Sequence, residues 1–105
     1  MIGTVTNSYS EQIIALEQHY HLPAIHTSRP EHALAGALVF YGVDFDNDFR
    51  RAAEYVDQIL KGKKPSELPV QAPTKYRLAI NLKTAKILGI DVPASLLLRS
   101  DELIE

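Results

Sequence analysis

The alternation of apolar and polar positions is clearest in the segment DNDFRRAAEYVDQILKGKKP, which begins at Asp46. Apolar residues recur there at three- and four-residue spacing with charged residues between them, which predicts an amphipathic helix with one buried stripe. Asp46 or Asn47 is the expected N-cap, and Gly62 is the expected left-handed stop before Pro65. The stripe expected to face the core consists of Phe49, Ala52, Ala53, Val56, Ile59 and Leu60.

The pattern downstream predicts a linker, a strand and two further elements. Pro69 and Pro73 favour extended backbone in SELPVQAPT, and KYRLAIN then alternates with the two-residue period of a half-buried strand. Asn81, on the polar face of that strand, is the expected cap of a short helix through LKTAKILG, which ends at Gly89. A terminal element around PASLLLRSDELIE follows Pro93.

The N-terminal half predicts further strands and helices ahead of that segment. A short strand is expected over Met1–Thr6, followed by a helix with Asn7, Ser8 or Ser10 as its cap. A strand in PAIH, a brief helix beginning at Ser28 and a strand in ALVFYG come next, the last buried on both faces. Strands that alternate with helices predict an α/β fold, with a short, mostly parallel sheet and flanking helices in a single unit.

Composition and charge argue against several functions. The net charge of -2 and the pI near 6.1 give no electrostatic basis for binding nucleic acid or an anionic membrane. The chain has no cysteine, which excludes disulfides, thiol catalysis and thiolate metal ligands. No stretch reaches the ~18 apolar residues of a membrane span, and no export signal is visible in the sequence as written.

Histidines are the only side chains that would support an enzyme. The chain has His19, His21, His26 and His32. They do not pair at i, i+4 around a carboxylate as in zinc hydrolases, and the GxxxxGK and GxSxG motifs are absent. The alternating acids in VDFDND lack the glycine and the distal glutamate of a calcium loop, so helix capping explains them better. The sequence therefore predicts no catalytic residue, no metal site and no cofactor.

Two loops that follow predicted strands are candidate ligand sites, because ligands of parallel sheets bind at the carboxyl ends of the strands. Asn7 and Ser8 offer an amide and a hydroxyl beside a helix N-terminus, although plain helix capping would use the same groups. Tyr41 and Gly42 offer an aromatic face and a close backbone approach. The alternative for Tyr41 is a core residue with only its hydroxyl at the rim.

Three consecutive motifs near the C-terminus resemble one protein family. They are a helix ending in KGKKPSELPV, a strand entering INLKTAKILG, and PASLLLRSDELIE at the end of the sequence. In this order they resemble the C-terminal portion of substrate-binding proteins of ABC transporters, a family that includes tryptophan-type binding components. The upstream run HLPAIHTSRPEHALAGALVFYG resembles the same family's strand, arginine-containing helix start and approach to a Tyr-Gly pair. The resemblance thus covers nearly the whole chain.

The resemblance implies a partial periplasmic-binding-protein lobe that captures a small, amino-acid-like solute in an interlobe cleft for uptake. Tyr41 and Gly42 would lie near that cleft. Arg29 matches the family's arginine and would bind a ligand carboxylate through two parallel hydrogen bonds, as a bidentate pair. The alternative is a surface ion pair with Glu31 or a nearby acid.

The sequence departs from the family's pattern close to these residues. Gly36 is followed by Ala37 where the family commonly has two glycines, and Phe40 stands where a small hydroxyl residue often precedes the Tyr-Gly pair. Ala37 and Phe40 make the chain that leads to the Tyr-Gly pair bulkier and less polar than in the family. This changes which ligand fits, so the ligand class does not transfer from the family.

The resemblance also implies an ABC transporter permease as partner and a periplasmic or extracellular, membrane-associated location. The family's chains are far longer than this one and two-lobed. Two expectations follow: the sequence is part of a longer exported protein, or it is a truncated stand-alone α/β module located in the cytoplasm. In the second case we expect lost ligand binding and a homodimer formed through surfaces that the missing lobe leaves exposed.

Overall fold

A computed structural model describes residues 4–105 of the chain. The chain divides into two compact units, of which unit 1 comprises Met1–Gly42 and Arg77–Glu105 and unit 2 comprises Val43–Tyr76. The helices are α1 (Thr4–Ser8), α2 (Ser10–His19), α3 (Glu31–Leu34), α4 (Phe45–Leu60), α5 (Leu82–Leu88) and α6 (Ala94–Arg99). The strands are β1 (Ile25–His26), β2 (Val39–Val43), β3 (Tyr76–Asn81) and β4 (Glu102–Ile104).

The strands form one sheet in the order β1-β2-β3-β4. β1 and β2 are parallel, with Ile25 opposite Val39, and β3 and β4 are parallel, with Ile80 opposite Leu103. The turn before β4 is fixed by Asp101, whose carboxylate accepts a hydrogen bond from the Leu78 amide at 2.7 Å. The predicted α/β class, with a short, mostly parallel sheet and flanking helices, is confirmed.

The core of unit 1 lies where β2 and β3 meet the short helix α3. Phe40 and Ile80 are fully buried, and Phe40 packs with Ala33 and Ala79 in one apolar cluster against which Ile104 also packs. β2 is exposed on one side, however, because Tyr41 alternates with the buried Phe40 and Gly42. The prediction that this strand is buried on both faces is therefore wrong at Tyr41.

Asn81 joins α5 to the core of unit 1. Its Oδ1 accepts a hydrogen bond from the Thr84 amide at 3.0 Å, and its Nδ2 donates one to the carbonyl of Ala33 at 2.7 Å. Gly89 ends the helix in the left-handed conformation, at φ 68°. Both predicted helix boundaries are confirmed, whereas the prediction that Asn81 lies on a polar, exposed face is wrong because its amide serves two buried backbone groups.

Three predictions for the N-terminal half are wrong in the described residues. The predicted strand falls partly outside them, and at residues 4–6 the chain is helical, since the Tyr9 amide donates to the Val5 carbonyl at 3.2 Å. Asn7 and Ser8 lie inside α1, and Tyr9 occupies the N-cap position of α2 without a side-chain cap. The helix expected from Ser28 begins only at Glu31, after Pro30, which has helical dihedral angles and no amide to satisfy.

Unit 2 consists of α4 and the segment that returns along it. The N-cap of α4 is Asp44, whose carboxylate accepts a hydrogen bond from the Asn47 amide at 3.2 Å, so the prediction of Asp46 or Asn47 as cap is wrong. Asp44 is favoured because its extended backbone aims the carboxylate at the third amide of the helix. Gly62, at φ 104°, follows the last turn as predicted, and a 3-10 turn covers Pro65–Glu67.

The apolar stripe of α4 is exposed, which contradicts the prediction that it faces a core. The exposed fraction of the side chain is 71 % at Phe49 and 81 % at Leu60, and no residue of α4 is buried. The returning segment packs beside the neighbouring side of the helix, where Arg51 donates to the Ala72 carbonyl at 3.2 Å and Tyr55 donates to that of Pro69. Two residues of the stripe, Ala52 and Ile59, line the open groove between them. The apolar periodicity thus predicted the helix correctly and its burial incorrectly.

Candidate functional site

The carboxyl ends of β1 and β2 lie against each other in unit 1. Gly42 is buried, and a Cβ atom placed on it would overlap the carbonyl oxygen of Thr27 and come within 3.0 Å of the Phe40 ring. Gly42 is thus required by the close approach of the chain that follows β1. Because the two strands are parallel, this contact marks the edge of the sheet at which ligands of α/β proteins bind.

Tyr41 and Arg29 lie on the two chain segments that meet at this contact. Tyr41 is 51 % exposed, which excludes the alternative of a core tyrosine with only its hydroxyl at the rim. Arg29 is exposed in the turn between β1 and α3. Among residues 4–105 it has no acidic partner within 4.0 Å, so the alternative of an ion pair with Glu31 is wrong there.

Asn7 and Ser8 are held differently from the prediction. They lie in a helix of their own, where the Ser8 hydroxyl donates to the Thr4 carbonyl at 3.1 Å. The Oδ1 atom of Asn7 is buried and has no hydrogen-bond partner in the described part of the chain. Within that part no hydrogen bond links either residue to Gly42 or Arg29. The structure thus brings Tyr41, Gly42 and the turn before Arg29 together and does not join Asn7 and Ser8 to them.

A buried polar cluster that the sequence did not indicate lies beneath the same turn. His26, fully buried at the end of β1, is hydrogen bonded through Nε2 to both carboxylate oxygens of Glu17, at 3.0 and 3.2 Å. The His26 ring contacts His32 edge to face, with 5.3 Å between the ring centres. This cluster ties α2 and α3 to the strand from which the turn emerges.

Electrostatics distinguish His32 from an ordinary surface histidine. Burial, and next the neighbouring imidazole of His26, hold the pKa of His32 below its usual value of 6.5. Smaller opposing effects of Glu31 and Glu17, which raise the pKa, do not reverse the direction. The only sign of this buried cluster in the sequence was His26 at the end of a predicted strand. Glu17 and His26 lie nine residues apart on different elements, so the periodicity of apolar residues does not pair them.

Two open grooves of about 500 Å³ each lie away from these residues. The groove in unit 1 is lined by α5, α6 and the turn at Gly89, and it includes Lys83 and Lys86. The groove in unit 2 runs between α4 and the returning segment. We place the candidate site at the strand ends rather than in either groove, because a forced backbone approach, an exposed aromatic ring and a guanidinium without an acidic partner among residues 4–105 come together there.

No group of three or more histidine, aspartate or glutamate residues among the described ones is arranged to hold a metal ion. Within residues 4–105, no helix is both long enough and apolar enough to cross a membrane.

A mostly parallel sheet with flanking helices places the chain in the α/β class, whose ligands bind at the carboxyl ends of the strands. Residues 2–104 match the family model described as ABC transporter substrate binding protein, and the chain belongs to that family. This confirms the family recognised from the C-terminal motifs. The family consists of solute-binding proteins of transport systems and not of enzymes.

Three solved structures are similar to the chain. A conserved domain protein from Vibrio cholerae is 30% identical, with a TM-score of 0.82 over 93% of this chain and 33% of its own. An ABC domain in complex with L-Trp from Streptococcus pneumoniae is 27% identical, with a TM-score of 0.83 over 99% of this chain and 35% of its own. A ligand-free, open substrate-binding protein with adhesive properties from Clostridium difficile shares the fold, at 19% identity and a TM-score of 0.66 over 95% of this chain and 32% of its own.

The chain spans about a third of the length of the solved structures that it matches. A search of curated proteins found no match.

Proposed function

We propose that this chain forms part of the solute site of an ABC transporter substrate-binding protein, and that the solute is a small, amino-acid-like molecule. The observation that carries the proposal is the contact between Gly42 and the Thr27 carbonyl at the ends of two parallel strands. Family membership and the complex of a similar protein with L-Trp support it.

Three of the five predicted site residues have a role in this proposal. The exposed Tyr41 ring offers a face for an apolar or aromatic side chain, and Gly42 lets the ligand approach the backbone. Arg29, which has no acidic partner in the described chain, is available to a ligand carboxylate. Asn7 and Ser8 have no role in it, because Asn7 Oδ1 is buried and the Ser8 hydroxyl donates to the Thr4 carbonyl at 3.1 Å within α1.

The test is a titration of the 15N-labelled chain with L-tryptophan, other amino acids and small organic acids, followed by NMR. Because one unit offers only part of a cleft, we expect weak binding, on the order of a millimolar dissociation constant. The amide signals of Tyr41 and Gly42 should shift and the response should be lost in Tyr41→Ala. Tyr20→Ala, which removes an exposed tyrosine elsewhere in unit 1, is the matched control. Absence of any shift at these amides with every compound would refute the proposal.

Location and partner follow from the same family membership. We propose that the protein works in the periplasm or outside the cell, associated with the membrane, and delivers its solute to an ABC transporter permease. The measurement is the intact mass of the natural product in separated cell fractions. A product much longer than 105 residues outside the cytoplasm is the expected result, and a product of this length in the cytoplasm would remove the transport role.

A second candidate function is self-association of the chain as a stand-alone α/β module with lost ligand binding. The specific observation in its favour is the exposed apolar face of α4, which includes Phe49 and Leu60. Apolar faces of this kind mark interaction surfaces in soluble proteins.

A further inference from the structure

The exposed face of α4 is narrow and continuous. At 3.6 residues per turn, its five apolar side chains fall within an arc of about 80° around the helix. They are Phe45, Phe49, Ala53, Val56 and Leu60, and all five are exposed. The smallest of them, Ala53, lies in the middle of the helix, where a second helix could approach closely.

The segment that returns along α4 does not cover this face. It is fixed to the neighbouring side of the helix by Arg51, which donates to the Ala72 carbonyl at 3.2 Å and to the Thr74 hydroxyl at 3.4 Å. Tyr55, on the same side, donates to the carbonyl of Pro69. Unit 2 therefore uses one side of α4 for its own packing and leaves the apolar face next to it open.

The charges along the other border of the apolar face are self-complementary. Asp46, Arg50, Asp57 and Lys61 follow one another there, so the sign alternates from negative to positive twice. If a second α4 packs antiparallel about a two-fold axis near Ala53, Asp46 faces Lys61 of the other copy and Arg50 faces Asp57. In a parallel pair this border of one helix would face the opposite border of the other, so these four charges would not meet; flanking charges of this kind decide orientation in helix pairs.

We propose that α4 is a self-association surface on which a second copy of this chain packs antiparallel through Phe49, Val56 and Leu60. The inference rests on the second candidate function and gives it a geometry. The internal ion pair between Lys61 and Asp57, at 2.9 Å, does not compete strongly because both side chains are exposed. One helix pair is small compared with a standard interface, so the dimer is weak and depends on concentration.

Sedimentation equilibrium of the chain without solute tests the surface. Between ~5 and ~500 µM, concentrations that span weak dissociation constants, the mass should rise from the 11.7 kDa monomer toward twice that value. Phe49→Glu should weaken the dimer at least ~10-fold. Leu98→Glu changes an apolar residue on α6 that is even more exposed than Phe49, and it should leave the dissociation constant unaltered. A monomer at every concentration, or equal effects of the two variants, would overturn the proposal.

Charge reversal tests the orientation. Asp46→Lys and Lys61→Glu each place like charges opposite one another in an antiparallel dimer, so each variant alone should dimerise about 5-fold more weakly at low salt. An equimolar mixture of the two restores both ion pairs and should return to wild-type strength. A mixture that dimerises no more tightly than either variant alone would refute the antiparallel geometry. Solute titration does not enter these measurements, so the solute proposal can fail while this one stands.

Discussion

Gly42 is the residue on which the candidate site depends most directly. In Gly42→Ala the new methyl group would overlap the Thr27 carbonyl, and the backbone of one strand would have to move. We expect the free energy of unfolding to fall by about 1–3 kcal/mol, the usual cost of overpacking. Urea denaturation measures this, and NMR should show the Thr27 amide shifted.

Gly62→Ala is the control for that substitution. A Cβ at Gly62 meets no atom within 4 Å, and its φ of 104° adds only local backbone strain. This variant should leave the Thr27 amide unchanged. A Gly42→Ala protein with wild-type stability would mean that the two strand ends are not held together as described.

His32 should make the stability of the chain depend on pH. Burial and His26 hold its pKa below the 6.5 of an exposed histidine, so the unfolded chain binds the proton more readily. The stability that neutral His32 contributes is fully present above pH 6.5 and is lost as the pH falls through the lowered pKa. The free energy of unfolding from urea titrations should therefore drop between pH 7 and pH 5.

Two variants isolate that effect. His32→Gln removes the titrating ring and should flatten the decline, whereas His19→Gln removes an exposed ring and should leave it unchanged. If both variants keep the full decline, other groups cause it. This cluster was beyond sequence reasoning because its members, Glu17, His26 and His32, meet only through packing.

At the scale of elements, Asn81 connects a helix cap to the core. Asn81→Ala removes the cap of α5 and also leaves the buried Ala33 carbonyl without its donor. Losing a cap costs about 1 kcal/mol and an unsatisfied buried group about 1–3 kcal/mol, so we expect a loss of about 2–4 kcal/mol in urea denaturation. Asp44→Ala, which removes the side-chain cap of α4 in unit 2, should cost less. Equal losses would show that the contact with Ala33 contributes nothing.

Helix ends were easier to predict from the sequence than contacts between distant segments. The ends of α5 at Asn81 and Gly89 were predicted correctly because both signals are local. An N-cap side chain accepts a hydrogen bond from an amide three residues along the chain, and a C-terminal glycine ends the helix through its own left-handed conformation. Residues 4–6 were predicted as part of a strand, but the backbone bond from the Tyr9 amide to the Val5 carbonyl closes a helical turn there. Tyr41 and Gly42 were predicted as ligand contacts from their position after a strand and from the family resemblance, whereas the contact with Thr27 required the packed structure.

The burial of α4 was predicted wrongly for a different reason. Periodicity reports that one face of a helix is apolar, and it carries no information on what lies against that face. Phe49 and Leu60 satisfy the pattern and are nonetheless exposed. A long-range property such as burial therefore does not follow from a local pattern.

At the scale of the whole molecule, the buried residues are unevenly distributed. The buried side chains of the described chain, such as Phe40, Ile80 and Asn81, belong to unit 1. Throughout Val43–Tyr76, all of which the structure describes, no residue is buried. Apolar burial is the main source of stability, so the two units should differ in how easily they open.

Hydrogen exchange should reveal that difference, because amides exchange only when their hydrogen bonds open. In dilute solution the amides of α4 should exchange through low-energy local opening, while those of β3 and α5 should exchange only near global unfolding. Mass spectrometry of peptides from both units, over a series of urea concentrations, measures the two free energies.

Protection of α4 should also increase with protein concentration, because a second copy would bury Phe49 and Leu60. Equal protection of α4 and β3 in dilute solution would contradict the uneven stability, and concentration-independent exchange of α4 would count against self-association.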